Sequence, residues 1–583
     1  MRLALQVMAL VLLVAGCSGT GTSSTPGADT DVTVADLVAG GADAEEQDLA
    51  PEVLPDLTNL ANLFPHNPEK DEWQTTTVVL KNIGHPEGML TGPYVQAFNC
   101  LNEDGGWMKE YEVPLVGLVH AQLCNIKQTI VPDEDGSYLS VTLPEDIMDP
   151  DDSFAELMMF YHVNFIHDYY KDIHGYDGMD FPLESYDNLM AYLEVENNFL
   201  ELPEGWVTFD NAMFMPGEGW AELEEMGEAL LKEYLGIDDK LDLPFKHDAI
   251  FFMQGESLDF AYDADVIYHE YTHAVVSGDR LLGTRIDEHG PDAAPRAMNE
   301  AVADYFACSV MGDPVMAEFA LVNLGAGRDL TEFAECPAGY HGEEHIDGLM
   351  YSTALWEIRE ALGSTAADAI IFNALLTFMA TTGYEEGAQA TIAEAALLEP
   401  PQDGVVQAIF EAHGLLGCNG RMRPWKDNDG SVYPEFLPGT QTTGVAGFSG
   451  GAPGYIQHQL QVPEGAESFH LEVAAEASGA LSILGDFMGG GEVSLAIALK
   501  HDGAIAYEYD PEYLHDETAL IPLVKLDDGL FSIDVSGDCF TGGMHTLQFV
   551  NQSGDAVMIR KATLSFPKGE APGEANYSCQ IVE

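Results

Sequence analysis

The chain has 583 residues, 46% of them hydrophobic, and carries 98 Asp and Glu against 22 Lys and Arg, a formal net charge of −76. This length is too great for one ordinary domain, and the apolar content excludes a disordered chain. The charge argues against nucleic acid or anionic lipid headgroups as binding partners. The simplest explanation of the negative charge is an acidic surface in contact with solvent. Calcium (Ca2+) is a candidate ion, because carboxylates favour it, although no calcium-loop motif is visible.

The N-terminus has the pattern of a targeting segment. Arg2 precedes an apolar run over residues 3–15, and Leu-Val-Ala-Gly-Cys ends at Cys17. This resembles a bacterial lipoprotein signal, in which cleavage leaves a lipid-modified Cys17, and the run is too short to span a bilayer. An ordinary secretory signal with an incidental cysteine is the alternative. We predict a signal peptide at 1–17, a flexible acidic tether at 18–63, export, and lipid anchoring to the cell envelope or cell surface.

The part of the chain after the tether, residues 64–278, is predicted to be rich in strands. Short runs alternate apolar and polar residues between Gly and Pro, which is typical of strands, and one longer stretch has apolar residues at helical spacing. We predict strands at 76–80, 138–141, 206–217 and 248–254, and a long helix at 154–173.

The most informative segment reads His-Glu-Tyr-Thr-His at 269–273, followed by Asn-Glu-Ala-Val-Ala-Asp at 299–304. On a helix, the two histidines lie one turn apart on one face, so both imidazoles can reach one metal ion. Glu270 can accept a proton from an attacking water, and a second helix carrying Glu300 would supply a third ligand. Two imidazoles, one carboxylate and an open fourth position are the ligand set of a hydrolytic zinc site.

The remaining chain divides into a helical part and a strand-rich part. Helices are predicted after a loop at 280–295, and a connector rich in Pro and Gly follows them. Alternating runs at 469–473 and 546–550 between Gly-rich turns predict a final β-sandwich, a binding or positioning module. We predict helices at 296–312, 346–362, 365–381 and 388–397, a helical lobe at 279–417, a linker at 418–440 and the sandwich at 441–583.

The cysteines after Cys17 can pair if the chain is exported. Closeness in sequence favours Cys100–Cys124 and Cys539–Cys579, with Cys336–Cys418 as a looser pairing. Cys308 lies in an apolar helical stretch and is predicted to be a free, buried thiol.

Several segments together carry a family resemblance. Phe-Tyr-His-Val-Asn at 160–164 and His-Asp-Tyr-Tyr at 167–170 lie in the predicted long helix, and residues 259–267 lead into the zinc motif. Residues 64–417 thereby resemble the thermolysin-like gluzincins, most closely the fungalysin-type branch. The resemblance implies an α+β fold with a strand-rich N-terminal lobe, a helical C-terminal lobe, and zinc in the cleft between them.

The resemblance also implies roles for individual residues near the motif. His269, His273 and Glu300 match the zinc ligands and Glu270 matches the general base. Asp304 matches the carboxylate that orients the first zinc histidine, with a solvent-facing acid as the alternative.

Two further roles follow from the resemblance with less local support. His345 matches a histidine that stabilises the oxyanion, with His341 as the competing candidate. Asn211 and Ala212 match the edge strand along which the peptide backbone lies, with a plain turn residue as the alternative reading of Asn211. The chain departs from thermolysins in having no tyrosine at 274–299. Transition-state stabilisation would therefore depend more on His345.

The predicted function is that of a zinc-dependent endopeptidase, which hydrolyses internal peptide bonds of extracellular proteins with Glu270 as general base. One alternative is a catalytically inactive, surface-tethered binding protein or adhesin on a peptidase fold, and another is a different zinc hydrolase. The presence of the base and all three ligands argues against the inactive reading.

Overall fold

The computed structural model describes most of the chain from residue 58 to residue 579. The predicted signal with Cys17, the tether up to residue 57, and Cys539 of the predicted Cys539–Cys579 pair lie outside the described residues. The described ranges are 58–84, 89–113, 117–149, 151–197, 204–208, 210–232, 236–255, 258–276, 280–281, 283, 285–287, 289–321, 327–418, 421–425, 434–439, 451–466, 468–477, 493–507, 518–527, 529–537, 542–554, 556–566 and 576–579.

Eight α-helices lie in these ranges. The first is capped at both ends: Asp152 Oδ1 accepts a hydrogen bond from the backbone N–H of Phe154 at 2.7 Å, and Gly175 takes the left-handed conformation that ends the helix. None of the helices in the described part of the chain is long and apolar enough to cross a membrane. The helices are α1 Ser153–His174, α2 Gly217–Leu230, α3 Ala264–Val276, α4 Ala294–Met311, α5 Glu344–Leu362, α6 Ser364–Leu375, α7 Tyr384–Ala395 and α8 Asp403–Ala412.

The first part of the chain contains three small sheets. Its strands are β1 Leu60–Leu63, β2 Thr76–Val79, β3 Val95–Leu101, β4 Met108–Val113, β5 Gly117–Leu123, β6 Asn125–Lys127, β7 Leu183–Leu189, β8 Ala191–Val195, β9 Gly205–Val207, β10 Ala212–Met215 and β11 Ala249–Met253. β1 pairs with β2, β4-β5-β8-β9 form an antiparallel sheet, and β10-β11-β7-β3-β6 form a mixed sheet whose three central strands are parallel. β10 ends the order of this sheet and lies against α3.

Two short hairpins and two larger sheets complete the fold. The hairpins are β12 Arg285–Asp287 with β13 Gly290–Asp292, and β14 Val315–Met316 with β15 Arg328–Asp329. The remaining strands are β16 Met422–Pro424, β17 Glu435–Leu437, β18 Ala452–Val462, β19 Ser468–Ala477, β20 Leu495–His501, β21 Thr518–Pro522, β22 Val524–Asp527, β23 Leu530–Gly537, β24 Gly543–Asn551, β25 Val557–Ser565 and β26 Asn576–Cys579.

The C-terminal strands form two sheets with a common core. One sheet has the order β16-β18-β24-β20-β21, and the other has the order β17-β25-β19-β23-β22 with β26 paired to β23. Apolar side chains of both sheets, among them Leu471 and Leu547, belong to one buried cluster. This is the arrangement of a β-sandwich. The runs predicted at 469–473 and 546–550 lie within β19 and β24.

The chain as described is a mixed α and β protein, consistent with the α+β class. The largest core joins α1, α3, α4 and α5, and includes Tyr455 and Ile456 from the sandwich strand β18. A second core lies between the small sheets and α2, around Tyr186 and Phe251. The sandwich therefore packs on the rest of the protein through part of the main core.

Three cysteine predictions are confirmed. Disulfides join Cys100 to Cys124 and Cys336 to Cys418, and Cys308 is a buried free thiol.

Several predicted element boundaries are wrong. The end of the predicted tether forms β1, whose Ala61 and Leu63 are buried. Residues 138–141 form a turn and not a strand, because the N–H of Val141 bonds to the carbonyl of Tyr138. The predicted strand at 206–217 is two short strands in different sheets. The predicted linker at 418–440 contributes β16 and β17 to the sandwich sheets.

The helical predictions differ from the structure in three places. α6 ends at Leu375 and not near residue 381. α2 has three glycines among its residues, which obscured its helical pattern, yet Trp220 and Leu223 bury its apolar face. α8 was not predicted, although Val406, Ile409 and Phe410 give it a buried stripe at helical spacing.

Candidate metal centre

Two neighbouring helices bring three potential ligand atoms together. His269 and His273 lie one turn apart on α3, and their Nε2 atoms are 3.0 Å apart. Glu300, on α4, has Oε2 at 3.2 Å from Nε2 of His269 and 3.5 Å from Nε2 of His273. Among the described residues, these are the three His, Cys, Asp or Glu side chains whose ligand atoms lie close enough together to hold one ion.

The separations and the chemistry of the donors fit zinc. Ligand atoms at about 2.0–2.1 Å from a tetrahedral ion are roughly 3.3 Å apart, which the three observed separations bracket. Oε2 of Glu300 is buried and makes no hydrogen bond within the described part of the chain. A buried carboxylate oxygen facing two imidazole nitrogens is an environment that a cation would satisfy.

The oxygens behind the two imidazoles, one in a hydrogen bond to His273 and one in an ion-pair contact with His269, favour the tautomer that a metal requires. Nδ1 of His269 lies 2.9 Å from Oδ1 of Asp304, and Nδ1 of His273 lies 2.9 Å from Oδ1 of Asn299. An acceptor at Nδ1 keeps the proton there and leaves the lone pair on Nε2. In that tautomer, both Nε2 atoms can act as ligands.

The pKa values of the three ligands depend on one another. Burial would raise the pKa of Glu300, but the imidazoles of His345 and His273 hold this pKa well below its usual range. Burial lowers the pKa of His273, but the carboxylate of Glu300 raises it to about 9, so a proton and a metal ion compete for this imidazole.

Asp304 is held by a half-buried arginine. Arg328, on β15, donates from Nε to Oδ2 at 2.7 Å and from a terminal nitrogen to Oδ1 at 2.6 Å. Burial would raise the pKa of Asp304, but Arg328 and His269 hold it well below its usual range. The two-point bond fixes the plane of the carboxylate, and thereby the ring of His269.

We expect Asp304→Asn to lower zinc affinity by about 10- to 100-fold, because the imidazole of His269 loses its anionic partner. Competition with a chromophoric chelator measures this affinity. The matched control is Glu332→Gln, which changes an exposed acid near Arg328 in sequence. Unchanged affinity in Asp304→Asn would contradict an orienting role for Asp304.

Glu270 lies beside the ligands on the same helix. Its side chain is buried, and burial raises the pKa of Glu270 while the nearby imidazoles of His273 and His269 lower it. A carboxylate in such surroundings is a stronger base than one in water. This position and basicity suit a group that accepts a proton.

His345 faces the same point from the first turn of α5. Its Nε2 lies 3.3 Å from Oε2 of Glu300, and its Nδ1 lies 2.7 Å from Oε1 of Glu343. Burial lowers the pKa of His345, but the carboxylates of Glu300 and Glu343 raise it to about 10, so the ring carries donors on both nitrogens. The side chain of His345 is 39% exposed, against 15% or less for the two histidine ligands, so a substrate can approach it.

The competing histidine is engaged elsewhere. His341 Nδ1 lies 3.0 Å from the carbonyl oxygen of Pro434, at the contact with the sandwich. Of the two candidates, His345 is the one near the ligands.

Ala212 is the first residue of β10, and Asn211 directly precedes it. The carbonyl oxygen of Asn211 accepts a hydrogen bond from the N–H of Met253 at 3.1 Å, and Ala212 is opposite Phe252. Because β10 ends its sheet and lies against α3, its position suits a strand along which a peptide could add. The substrate-binding role of these two residues stays a prediction.

Three residues that hold the site in place were not predicted from the sequence. Asn299 could have been found, because it directly precedes a predicted ligand. Glu343 could have been found less easily, as an acid at the start of a helix two residues before His345. Arg328 had no signal, because it is 24 residues from Asp304 and on a different element.

Comparison with known proteins does not place the chain in a family. No protein-family model matches it, and no curated protein matches it. A solved structure that is similar to part of it is a family GH115 4-O-methyl-alpha-glucuronidase with specificity for decorated arabinogalactans, at 12% identity and a TM-score of 0.12. That match covers 52% of this chain and 39% of the glucuronidase, and its TM-score is too low to support an argument.

Proposed function

We propose that the protein is a zinc-dependent endopeptidase that hydrolyses internal peptide bonds of extracellular proteins. The observation that carries the proposal is the convergence of two imidazole Nε2 atoms and one carboxylate oxygen within 3.5 Å, beside the buried carboxylate of Glu270. The same observation supports the thermolysin-like arrangement of residues 64–417, because the ligands lie on α3, which packs against β10, and on α4 of the helical part.

His269, His273 and Glu300 would hold the ion. Bound zinc would supply Lewis-acid activation of water and of the scissile carbonyl. Glu270 accepts the proton of the attacking water and transfers it to the leaving amine. His345 donates from Nε2 to the developing oxyanion, and Glu343 holds its ring in position. β10, which begins at Ala212 directly after Asn211, aligns the substrate backbone.

Export is part of the same proposal. Two disulfides lie in the described part of the chain, and disulfides persist in oxidising compartments. Lipid anchoring through Cys17 rests on the sequence pattern, and metabolic labelling with a fatty-acid analogue, with Cys17→Ser as the control, tests it.

The test of the proposed function is cleavage of casein by the purified protein. We expect hydrolysis that is lost with 1,10-phenanthroline, kept with the non-chelating 1,7-phenanthroline, and restored by added Zn2+. These results follow if the ion that the three ligands hold is required for turnover. Cleavage that survives removal of the metal would contradict the proposal.

The alternative function predicts a different result in the same experiment. One zinc ion bound per chain, with no cleavage of casein or of a peptide library, would favour the tethered binding protein or adhesin. No specific observation in the structure favours that alternative.

A further inference from the structure

Two segments that lead into the site helices are bound by the sandwich. One is the loop 340–343, which precedes α5 and carries Glu343 two residues before His345. The other is the hairpin of β12 and β13, which precedes α4 with Glu300 and Asp304. The two segments also contact each other, since the hydroxyl of Tyr340 donates to Oδ1 of Asp292 at 3.1 Å.

The loop 340–343 is held from both sides. On the inner side, Asp347 of α5 accepts hydrogen bonds from the backbone N–H of His341 at 2.5 Å and of Gly342 at 2.9 Å. On the outer side, the N–H of Phe436 in β17 donates to the carbonyl of His341 at 2.8 Å. Arg423 of β16, which is buried, donates to the carbonyl of Tyr340 at 2.6 Å.

The loop 340–343 and the sandwich approach each other closely at Gly342. Its φ is +85°, and a Cβ added to it would lie 2.6 Å from the carbonyl oxygen of Phe436 and 2.8 Å from Cδ2 of Tyr455. Both of these residues belong to the sandwich. A residue with a side chain therefore cannot occupy position 342 unless the loop and the sandwich move apart.

The hairpin is held in the same way. Arg421 donates to the carbonyl of Gly290 at 2.6 Å, and Gln457 of β18 donates to the carbonyl of His289 at 3.3 Å. The disulfide Cys336–Cys418 joins the chain just before the loop to the chain just before β16. Covalent, polar and apolar contacts thus attach the sandwich to the loop 340–343, and hydrogen bonds attach it to the hairpin.

We infer that the C-terminal sandwich contributes to the active site, because its strands β16, β17 and β18 hold the loop 340–343 and thereby position His345. The inference rests on the proposed function for the role of His345 in turnover. The loop contributes Glu343, whose Oε2 accepts the N–H of Ile346 at 2.9 Å while Oε1 holds the ring of His345. A shift of this loop therefore moves the cap of α5 and the imidazole together.

The first variant is Gly342→Ala, and its matched control is Gly363→Ala at the other end of α5. Gly363 has a φ of +83°, nearly that of Gly342, but a Cβ there would meet nothing within 4 Å. We expect Gly342→Ala to lower kcat by roughly tenfold. This is less than the ~10²–10³-fold loss of kcat that follows complete removal of one oxyanion donor, because His345 would be displaced and not absent. KM and the zinc content should change little, because the ligands and β10 lie on other elements. The control should keep kcat.

The second variant tests the same contact without backbone strain. Arg423→Gln removes the bond to the carbonyl of Tyr340, and Arg560→Gln changes an arginine on the sandwich whose side chain is 62% exposed. Hydrogen exchange of the backbone amides of residues 340–347, followed by mass spectrometry, measures the loop itself. We expect faster exchange there in Gly342→Ala and Arg423→Gln and wild-type exchange in both controls.

The decisive comparison repeats Gly342→Ala in the His345→Ala background. If the sandwich acts through His345, the second substitution causes no further loss of kcat. An equal loss in both backgrounds, unchanged exchange at 340–347, or faster exchange with wild-type kcat would each overturn the inference. A wild-type protein that binds zinc and cleaves nothing would instead refute the proposed function, and the exchange data would still show whether the sandwich holds the loop.

Discussion

Glu270→Gln should lower peptide hydrolysis by about 10²–10⁴-fold or more, while the protein still binds one zinc ion per chain. The amide has the size of the carboxylate but cannot accept a proton from water at neutral pH. The ligand atoms belong to His269, His273 and Glu300, so metal binding does not depend on Glu270. Steady-state cleavage of a quenched fluorescent peptide, beside zinc analysis by mass spectrometry, measures both quantities.

A matched control separates this effect from a general effect of replacing an acid on a site helix. Glu360 is exposed on α5, the helix that carries His345, and Glu360→Gln should keep wild-type activity and zinc content. Activity of Glu270→Gln within tenfold of wild type would remove Glu270 from the mechanism. Loss of zinc from that variant would mean that Glu270 supports the ligands and would leave its role as base untested by activity.

The second large effect concerns stability and lies away from the metal centre. Four carboxyl groups, Asp152, Glu156, Asp187 and Asp259, are buried beneath the N-terminus of α1, and the last two interact electrostatically with the others. Oε1 of Glu156 and both oxygens of Asp187 make no hydrogen bond among the described residues. Burial raises the pKa of Glu156 to about 7 and that of Asp152 to about 6, and raises those of Asp187 and Asp259 well above their usual range.

The sign of the pH dependence follows from these shifts. A carboxyl whose pKa is higher in the folded state binds its proton more tightly there, so its contribution is full below the pKa of the unfolded chain and is lost as pH rises through the folded value. For Glu156 that window runs from about 4.5 to about 7. The shift corresponds to roughly 3 kcal/mol of unfolding free energy, since one pKa unit is about 1.4 kcal/mol.

We therefore expect the wild-type protein to lose stability between pH 5 and pH 8, and Glu156→Gln to lose less of it. The amide oxygen can still accept the bonds that Thr129 donates to Oε2, and the amide carries no charge to bury. Urea unfolding midpoints at several pH values measure the difference, with exposed Glu145→Gln as the control. A constant difference between Glu156→Gln and wild type across this range would show that Glu156 does not titrate in the folded protein.

The parts of the fold that could be predicted are those with short-range signals. The apolar spacing at 154–173 predicts α1 to within one residue at each end, because a helix buries one face at a regular interval. The apolar spacing did not reveal α2, because its three glycines interrupt the helical pattern. It also gave a wrong strand at residues 138–141, where a turn with buried Tyr138 has the same alternation of apolar and polar residues. The edge strands β16 and β17 are three residues each, too short for any periodicity.

In the candidate site, too, relations between residues close in sequence could be predicted, and contacts between residues far apart could not. Sequence alone determined that His269, Glu270 and His273 share one helix and that Asp304 follows Glu300 by one turn, because helical geometry relates residues three and four apart. Tertiary structure decided which atoms meet: Glu300 opposite both imidazoles, Arg328 on Asp304, His345 rather than His341 near the ligands, and the sandwich against the loop before α5. Those contacts join residues far apart in the chain, and their geometry depends on how helices and sheets pack, which no local spacing encodes.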